Sequence, residues 1–431
     1  MNALWPRLRR WWWLPALAAA FVLYSHSFNT FPILERQINL LGDSDAASFA
    51  VLLTDFSLTR RYGDEYQPSN RTIQDVAQKH KVHHFLYFVV GGVLYDVLHG
   101  IRGVLGLDPR QALYEVSALI GCVNLLLLGL LLRRLSPGVP AAPFLLFYGL
   151  ALSSWLFYSV PESWPLSTTL LLGFLWVTYV RRWPWWGLAL YLGVAMLNNL
   201  LLGVLGIFIA LREAGERPWP SALVRSTAAA GVMVATWLAL LTGLSPLEAG
   251  LRPDHFVAYT LWFKRTVAFE SLPLSDPYVW KSALSNLFVT SVASNQADPM
   301  VPQEALLHTL RSGVLGAVVV LAYLVVLGVM AAALWRAIRA TPRGGLGVVP
   351  ADPLLHVAAF LGVFALTVVA FYYSGAFLYS MLALPLLTLL LARFVPGERW
   401  RWALLAGFLV ILVVNNAVQV TVFRAALRAL G

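Results

Sequence analysis

The sequence predicts an all-α, polytopic membrane protein, a helical bundle of about eleven transmembrane spans in one domain over residues 1–431. Hydrophobic residues make up 59% of the chain, whereas charged residues make up only 12%. Apolar runs repeatedly reach roughly 20 residues, the length that a helix needs to cross a bilayer. The pattern lacks the short alternating strands that a membrane barrel requires.

The positive charge of the chain is distributed as in a membrane protein. The net charge is +10, and Lys and Arg cluster at the ends of apolar runs, as expected when they mark the cytoplasmic face. This distribution argues against nucleic acid as a partner and for membrane lipids. Arg7, Arg9 and Arg10 precede a first span at residues 11–28. Because no cleavage site follows, we expect a retained span with a cytoplasmic N-terminus.

A polar segment follows the first span, and residues 29–110 are expected to form the first outer loop. Asp43 and Asp45 lie just before residues 46–58, where Phe49, Leu53 and further apolar residues recur at helical spacing. This pattern predicts an amphipathic juxtamembrane helix whose apolar face rests on the membrane or on other helices. The two carboxylates would stand at the start of that helix.

Residues 83–107 are apolar and long enough to cross, but the charge distribution argues against crossing. If this run crossed, every later Arg-rich connection would face outward. Polar and glycine residues, such as Gly91, Asp96 and Arg102, also interrupt it. We therefore expect an interfacial or re-entrant helix here, with the short Arg-rich connections on the cytoplasmic face.

Further apolar runs complete the predicted bundle and leave a second outer loop at residues 242–312. The expected spans are 112–132, 141–159, 164–180, 185–211 as a hairpin around Asn198 and Asn199, 223–241, 313–334, 354–373, 376–392 and 403–422.

This topology collects polar side chains on the outer face. The candidates for substrate binding are Arg60, Arg61, Lys81, His83, His84, Glu162, Arg252, Trp262 and Lys264. A carboxylate can accept a hydroxyl proton as general base, and Arg or Lys can balance the charge of a departing phosphate. Together with aromatic faces that stack on sugars, these residue types suit a reaction on a polyol with a phosphate leaving group.

The order of these features resembles a known superfamily. An acidic motif precedes an amphipathic helix in the first outer loop, His84-Phe85-Leu86-Tyr87 follows, and Tyr379 and Pro385 lie in a late span. With the many spans, they resemble the GT-C superfamily of integral-membrane glycosyltransferases, which includes protein O-mannosyltransferases and aminoarabinose and arabinofuranosyl transferases. The resemblance covers most of the chain in topology and depends on short residue motifs.

The resemblance implies an inverting glycosyltransferase of the bacterial inner membrane, with its active site on the periplasmic face. Its donor would be a polyprenyl-phosphate-linked sugar, and its acceptor a hydroxyl of a lipid, glycan or protein. Asp43 would be the general base, with Asp45 as the second choice. Some members use a divalent metal, although no ligand set in this sequence demands one.

Two positions depart from the family pattern. Phe85 follows His84 where relatives often carry a proline, and Leu378 precedes Tyr379 where relatives often carry an arginine. The cation that binds the donor phosphate must therefore come from elsewhere, and the sequence does not single it out. Tyr379 stays among the expected substrate-binding residues.

The same residues allow purely structural interpretations. Asp43 could be a helix N-cap, and Asp45 and Glu162 could be carboxylates in the first turn of a helix, where the helix dipole favours them. His83, His84 and Tyr379 could lie at the membrane interface, Arg60 and Arg61 could contact lipid phosphates, and Trp262 and Lys264 could form a solvated surface.

Rival functions make different demands on the sequence. A transporter or lipid flippase would place ionisable residues in the middle of spans, whereas the acidic residues here lie at span ends and in loops. A scaffold protein without chemistry would not need an acid at position 43. A membrane acyltransferase would need a nucleophile or histidine inside the bilayer, and the sequence offers no firm candidate.

Overall fold

The computed structural model describes residues 13–28, 49–50, 53, 84–246, 252–254, 275–293, 314–340, 352–372 and 376–429. Within these ranges all regular structure is helical, and no strand occurs. The predicted all-α class is therefore confirmed.

The helices are numbered in chain order. In the first half they are α1 Trp13–Ser27, α2 Phe85–Val104, α3 Ala112–Leu135, α4 Ala142–Leu150, α5 Leu152–Phe157, α6 Trp164–Leu175 and α7 Trp185–Ala195. In the second half they are α8 Gly206–Glu216, α9 Trp219–Leu244, α10 Pro277–Leu284, α11 Val314–Ala340, α12 Pro353–Tyr372, α13 Ala376–Phe394 and α14 Arg399–Ala429. Short 3-10 helices precede α3 and α8 at Pro109–Gln111 and Leu200–Leu205, and π-helical turns extend α6 and α10 at Trp176–Val180 and Ser285–Thr290.

Several described helices are long and apolar enough to cross a membrane. They are Phe85–Val104, Pro109–Leu135, Trp219–Leu244, Val314–Ala340 and Arg399–Thr421, with shorter apolar helices beside them. Large apolar side chains such as Leu321 and Val410, each 65% exposed, lie on the outside of the packed helices. Such surfaces suit contact with lipid tails, so the chain has the architecture of a polytopic helical membrane protein.

The short connections that carry arginines meet at one end of the bundle, which we call the arginine-rich end. Arg393 of α13 pairs with Asp352, just before α12, at 3.8 Å. Tyr179, in the π-helical turn after α6, contacts His356 of α12 at 3.0 Å. Arg212 of α8 donates to the connection between α6 and α7. We call the opposite end of the bundle the far end.

Helix α3 also reaches the arginine-rich end, at Arg133 and Arg134 in its last turn. Phe144, at the start of the next helix, packs against Trp402 at the start of α14, with ring centroids 6.1 Å apart. Since α14 follows directly after α13, this contact brings the end of α3 to the same end as Arg393. The first turn of α3 therefore lies at the far end.

Helix α2 lies across the far end and does not cross the bundle, although its length and hydropathy would allow crossing. At its start, the backbone N–H of Leu86 donates to the carbonyl of Leu197, beyond the far end of α7, at 3.3 Å. Near its end, Arg102 pairs with Glu115 in the first turn of α3. Both ends of α2 thus contact the far ends of other helices, and the interfacial position of residues 83–107 stays a prediction.

The predicted single span at residues 141–159 is wrong, because the chain breaks between α4 and α5 at Ala151. The amide of Asn416, on α14, donates to the carbonyls of Leu150 at 2.8 Å and Val292 at 2.7 Å. The N–H of Ser153 donates to the carbonyl of Ser291 at 2.8 Å. A break inside a membrane protein needs such partners, because lipid offers no hydrogen bonds to freed backbone groups.

The connection between α5 and α6 is set deep in the bundle. Asn124, halfway along α3, donates to the carbonyl of Pro165 in the first turn of α6 at 2.8 Å. At 1.5 Å of rise per residue, this level is about 18 Å from the far end of α3. Every residue from 151 to 168 is buried, and α6 packs against α3, α7 and α13. The start of α6 therefore lies inside the bundle, on the side of the far end.

Candidate functional site

The structure describes only part of the predicted site. His84, Glu162, Arg252 and Tyr379 lie in the described ranges. The predicted residues outside the described ranges are Asp43, Asp45, Arg60, Arg61, Lys81, His83, Trp262 and Lys264.

The segment just after the acidic motif packs against the start of α2. Phe49 is 2% exposed, and Leu53 is fully buried. The ring of Phe49 lies edge-on to His84, with centroids 5.4 Å apart, and to Tyr87, with centroids 5.6 Å apart. A Cβ placed on Gly91 would come within 2.6 Å of Leu53 Cδ2. Phe49 and Leu53, predicted to lie on one apolar face, therefore both pack against α2.

Glu162 is buried, with 1% of its surface exposed. Its Oε1 accepts hydrogen bonds from the Ser163 N–H at 2.8 Å and from the Ser163 hydroxyl at 3.3 Å. Ser163 is the N-cap of α6, and the first turn of that helix contains no acidic residue. The first-turn interpretation of Glu162 is therefore wrong by position, since the carboxylate precedes the cap. A carboxylate so deep in the protein requires polar partners around it.

Tyr87 and Ser117 complete the polar surroundings of this carboxylate. The hydroxyl of Tyr87 lies beside Ser117 and Glu162, and Tyr87 and Ser117 are both fully buried. The Tyr87 hydroxyl lies within hydrogen-bonding reach of Ser117 and of the Glu162 backbone, although neither hydroxyl has a well-aligned bond among the described residues. Buried hydroxyls are normally paired, so a ligand hydroxyl could compete for these two groups.

His84 is tied to the same region through the turn after α7. Its Nδ1 contacts the carbonyl oxygen of Asn198 at 2.6 Å. The side-chain amide of Asn198 donates to the Ser167 hydroxyl, one turn into α6, at 2.8 Å. Its Oδ1 has no hydrogen-bond donor among the described residues. Asn198 is thus both the predicted hairpin turn and a polar link between α2 and α6.

We define the Glu162 site as Glu162, Tyr87, Ser117, His84 and Asn198. Each side chain comes from a different element: the α5–α6 connection, α2, α3, the residue before α2, and the turn after α7. The sequence singled out only Glu162 and His84 as functional. Tyr87 appeared in the sequence only as part of the motif around His84, and no local signal marked Ser117.

Tyr379 lies against the same stretch of α6. Its ring meets Trp164, the first residue of α6, with centroids 5.0 Å apart and an interplanar angle of 83°. One turn further along α6, the Thr168 hydroxyl donates to the carbonyl of Met381 at 2.9 Å. Tyr379 therefore packs between helices near Glu162, which argues against a position in an aromatic belt facing lipid.

Below the Glu162 site, a second polar group holds the deep connection in place. The Asn124 amide donates to the Tyr158 hydroxyl at 3.1 Å, and Thr169 donates to Asn124 Oδ1 at 2.7 Å. The Tyr158 and Tyr148 hydroxyls are hydrogen-bonded to each other. Both polar atoms of the Asn124 side chain are therefore hydrogen-bonded within the protein. The only sequence signal for this group is a polar residue inside an apolar run.

Two further charged pairs lie in the described outer segments. Arg252 forms a bidentate pair with Asp254, at 3.1 and 2.9 Å, and both side chains are more than half exposed. The Arg102–Glu115 pair is mostly buried, at 16% and 10% exposed.

Among the described residues, no group of three or more His, Cys, Asp or Glu side chains could hold a metal ion.

Comparison with solved structures identifies a protein of similar fold. The chain matches the crystal structure of ArnT from Cupriavidus metallidurans bound to undecaprenyl phosphate, with a TM-score of 0.50 and 16% sequence identity. The match covers 91% of this chain and 62% of that one, so this chain spans less than two thirds of ArnT. No family model matches the sequence, and no curated protein matches it. At this identity the likeness shows a shared fold alone, and it agrees with the all-α membrane fold that the sequence predicts.

Proposed function

We propose that this protein is an inverting membrane glycosyltransferase of the GT-C type. It would move a sugar from a polyprenyl-phosphate donor to an acceptor hydroxyl on the periplasmic face. One observation carries the proposal: Phe49 packs on His84 and Tyr87. This contact anchors the segment that follows Asp43 and Asp45 beside the buried polar groups around Glu162.

Chain length limits the distance between the acidic motif and that anchor. Asp45 precedes Phe49 by four positions in the sequence, and Asp43 precedes it by six positions. At no more than about 3.6 Å per residue, both aspartates stay within roughly 22 Å of the anchor. That distance is compatible with a carboxylate above the Glu162 site, at the water-facing side of the far end.

The proposed reaction is a displacement at the anomeric carbon of the donor sugar. Asp43 accepts the proton of the acceptor hydroxyl while that oxygen forms a bond to the anomeric carbon. The bond from this carbon to the phosphate oxygen breaks on the opposite face of the sugar. The lipid phosphate leaves with the electron pair, and a nearby Arg or Lys balances its charge. Among the predicted cations, Arg60, Arg61 and Lys81 lie closest in sequence to the acidic motif.

The Glu162 site would bind the sugar itself. A buried carboxylate beside the Tyr87 and Ser117 hydroxyls suits a ligand covered in hydroxyl groups. Asn198 Oδ1 adds another acceptor, and Tyr379 adds an aromatic face near the start of α6. In this role Glu162 accepts a hydrogen bond from a sugar hydroxyl and holds the sugar in place.

A lipid chain has an apolar surface to follow beside this site. A groove of about 510 Å³ lies between α1, α3 and α4, and its lining includes Tyr24 and Gly149. Tyr24 donates to the Gly149 carbonyl at 2.8 Å and packs against Tyr158. Tyr158 precedes Glu162 by only four residues. The groove would therefore guide part of a polyprenyl chain, the kind of lipid bound to ArnT.

The hydrogen bonds of the polar residues inside the helices, Asn124 and Asn416, argue against a transport path. Asn124 and Asn416 lie well inside helices, where a transporter would place path-lining groups. Both amides donate to backbone carbonyls at helix starts or breaks. Their role is therefore to satisfy the backbone, which favours the transferase over a transporter or flippase.

The decisive experiment incubates the purified protein with a panel of polyprenyl-phosphate sugars and measures the free lipid phosphate released. The native protein should release it from at least one donor, and Asp43→Asn should lower the rate by roughly a hundredfold or more. Asp108→Asn is the matched control, because Asp108 only caps the short helix before α3. Full activity of Asp43→Asn would reject Asp43 as the base, and no release from any donor would reject the transferase.

A further inference from the structure

A second polar cavity lies at the arginine-rich end, far from the Glu162 site. It has a volume of about 350 Å³ and opens between the α6–α7 connection, α8 and the start of α9. Its charged lining residues are Arg182, Arg212, Arg217, Arg225, Glu213 and Glu216. We call it the arginine cavity.

The ion pairs in the arginine cavity leave positive charge in excess. Glu213, 3% exposed, contacts three guanidinium groups: Arg217 at 3.0 Å, Arg212 at 3.2 Å and Arg225 at 3.5 Å. Glu216 contacts Arg182 at 3.7 Å. Each arginine contacts a glutamate, but four arginines against two glutamates give the group a net charge of +2.

One buried donor in the cavity is also unsatisfied. The Arg212 side chain is only 9% exposed. Its Nη1 donates to the carbonyls of Thr178 at 3.3 Å and Trp183 at 2.9 Å, but its Nε finds no acceptor among the described residues. A buried donor without a partner is costly. The Arg212 guanidinium is nevertheless held rigidly in the cavity wall by two backbone carbonyls and Glu213.

The rim of the cavity suits the boundary between lipid and water. Trp183 and Trp186 line it and are 42% and 52% exposed, and tryptophans concentrate at the level of lipid headgroups. Arg182, also in the lining, holds a left-handed backbone with φ of 52°, which non-glycine residues seldom adopt. Its guanidinium is 77% exposed and so within reach of a ligand at the surface.

We propose that the arginine cavity binds the phosphodiester headgroup of an anionic phospholipid. Guanidinium groups match phosphate oxygens in geometry and charge, and basic pockets between membrane helices are suited to anionic headgroups. The tryptophan rim favours a lipid over free phosphate, because a lipid keeps its tails in the bilayer while its headgroup enters the cavity. This proposal does not depend on the sugar-transfer chemistry.

The test compares lipid binding by thermal unfolding and by native mass spectrometry of the full chain in detergent. Phosphatidylglycerol should raise the unfolding temperature and stay bound through detergent exchange, whereas phosphatidylcholine should do neither. Arg182→Gln and Arg225→Gln should each weaken phosphatidylglycerol binding about fivefold. Arg336→Gln is the matched control, because the described contact of Arg336 is to the carbonyl of Ala332 in its own helix.

The outcomes separate the ligand sources. Equal binding of the two lipids would overturn the proposal, as would unchanged phosphatidylglycerol binding in Arg182→Gln. Full protection by inorganic phosphate alone would assign the cavity to a soluble anion and overturn the lipid assignment. Arg182→Gln keeps the test valid if Arg225→Gln fails to fold, because the Arg182 pair with Glu216 is long and solvent-exposed.

Discussion

The ring of Phe49 meets the imidazole of His84 edge-on, with centroids 5.4 Å apart and an interplanar angle of 73°. The two residues are 35 positions apart in sequence, so this contact joins the segment after the acidic motif to the start of α2. His84 in turn contacts the Asn198 carbonyl, and Asn198 contacts α6. Four elements are thereby held around the Glu162 site, and this arrangement yields direct tests.

Phe49→Ala should remove the anchor of the acidic motif. Truncating a buried phenylalanine costs about 3 kcal/mol, and here the cost falls on the docking of one short segment. We expect sugar transfer to fall at least tenfold, measured as release of lipid phosphate, while the main unfolding transition shifts little. Val318→Ala, at a side chain 45% exposed on α11, serves as control. Unchanged transfer in Phe49→Ala would separate this contact from catalysis.

Gly91→Ala should displace the same segment by a different route. The added methyl group would lie 2.6 Å from Leu53 Cδ2, and overpacking of this kind costs roughly 1–3 kcal/mol. Transfer should fall, and the double variant with Leu53→Ala should recover part of it. Gly100→Ala, in the same helix with open space around it, should be neutral or slightly stabilising. If Gly91→Ala lowers transfer equally with and without the Leu53→Ala change, the methyl group does not act through Leu53, and the prediction is wrong.

Glu162→Gln should weaken donor binding while the fold is kept. The amide oxygen can still accept from the Ser163 N–H, but the negative charge is lost. We expect kcat/KM for the donor to fall tenfold or more, which corresponds to a loss of about 1.4 kcal/mol of transition-state stabilisation. Steady-state kinetics would measure it, with the exposed Glu398→Gln as the comparison. Equal kinetics in the two variants would assign Glu162 to folding alone.

Asn416→Ala should destabilise the break between α4 and α5. It removes the hydrogen bonds to the carbonyls of Leu150 and Val292 and the one that Asn416 Oδ1 accepts from the Asn415 amide, and it leaves both carbonyls without that donor. A loss of about 2 kcal/mol is expected, visible as a lower unfolding temperature. Thr421→Ala, on the same helix and exposed, should have little effect. Identical unfolding temperatures would mean that other groups hold the break.

Cysteine labelling should place Val104 and Arg134 on opposite sides of the membrane. Val104 ends α2, just before α3, and Arg134 lies in the last turn of α3; both side chains are exposed. In a Cys122→Ala background, a membrane-impermeant maleimide applied to intact spheroplasts should label Val104→Cys. Arg134→Cys should react only after permeabilisation. The reverse pattern would place the Glu162 site on the cytosolic side and contradict the proposed function.

The sequence alone could predict the features that depend on local pattern. Helical periodicity predicted that Phe49 and Leu53 share an apolar surface, and both side chains are buried against α2. The break at Ala151 could not be predicted, because its main partner, Asn416, is 266 residues from Leu150 and no proline marks it. Ser117 was missed for a related reason. It belongs to the site only because it lies beside Tyr87 and Glu162, and only the tertiary fold brings these three residues together.

Glu162 lies at the level of Ser117, about one and a half turns below the far end of α3, and the hydrogen bond between Asn124 and the Pro165 carbonyl holds the connection beneath it. A sugar carried by a membrane lipid could therefore meet this carboxylate while its carrier stays embedded among neighbouring acyl chains. The acceptor, by contrast, would have to descend from the aqueous side to reach it. Slender or flexible acceptors fit such a descent better than the face of a rigid globular protein.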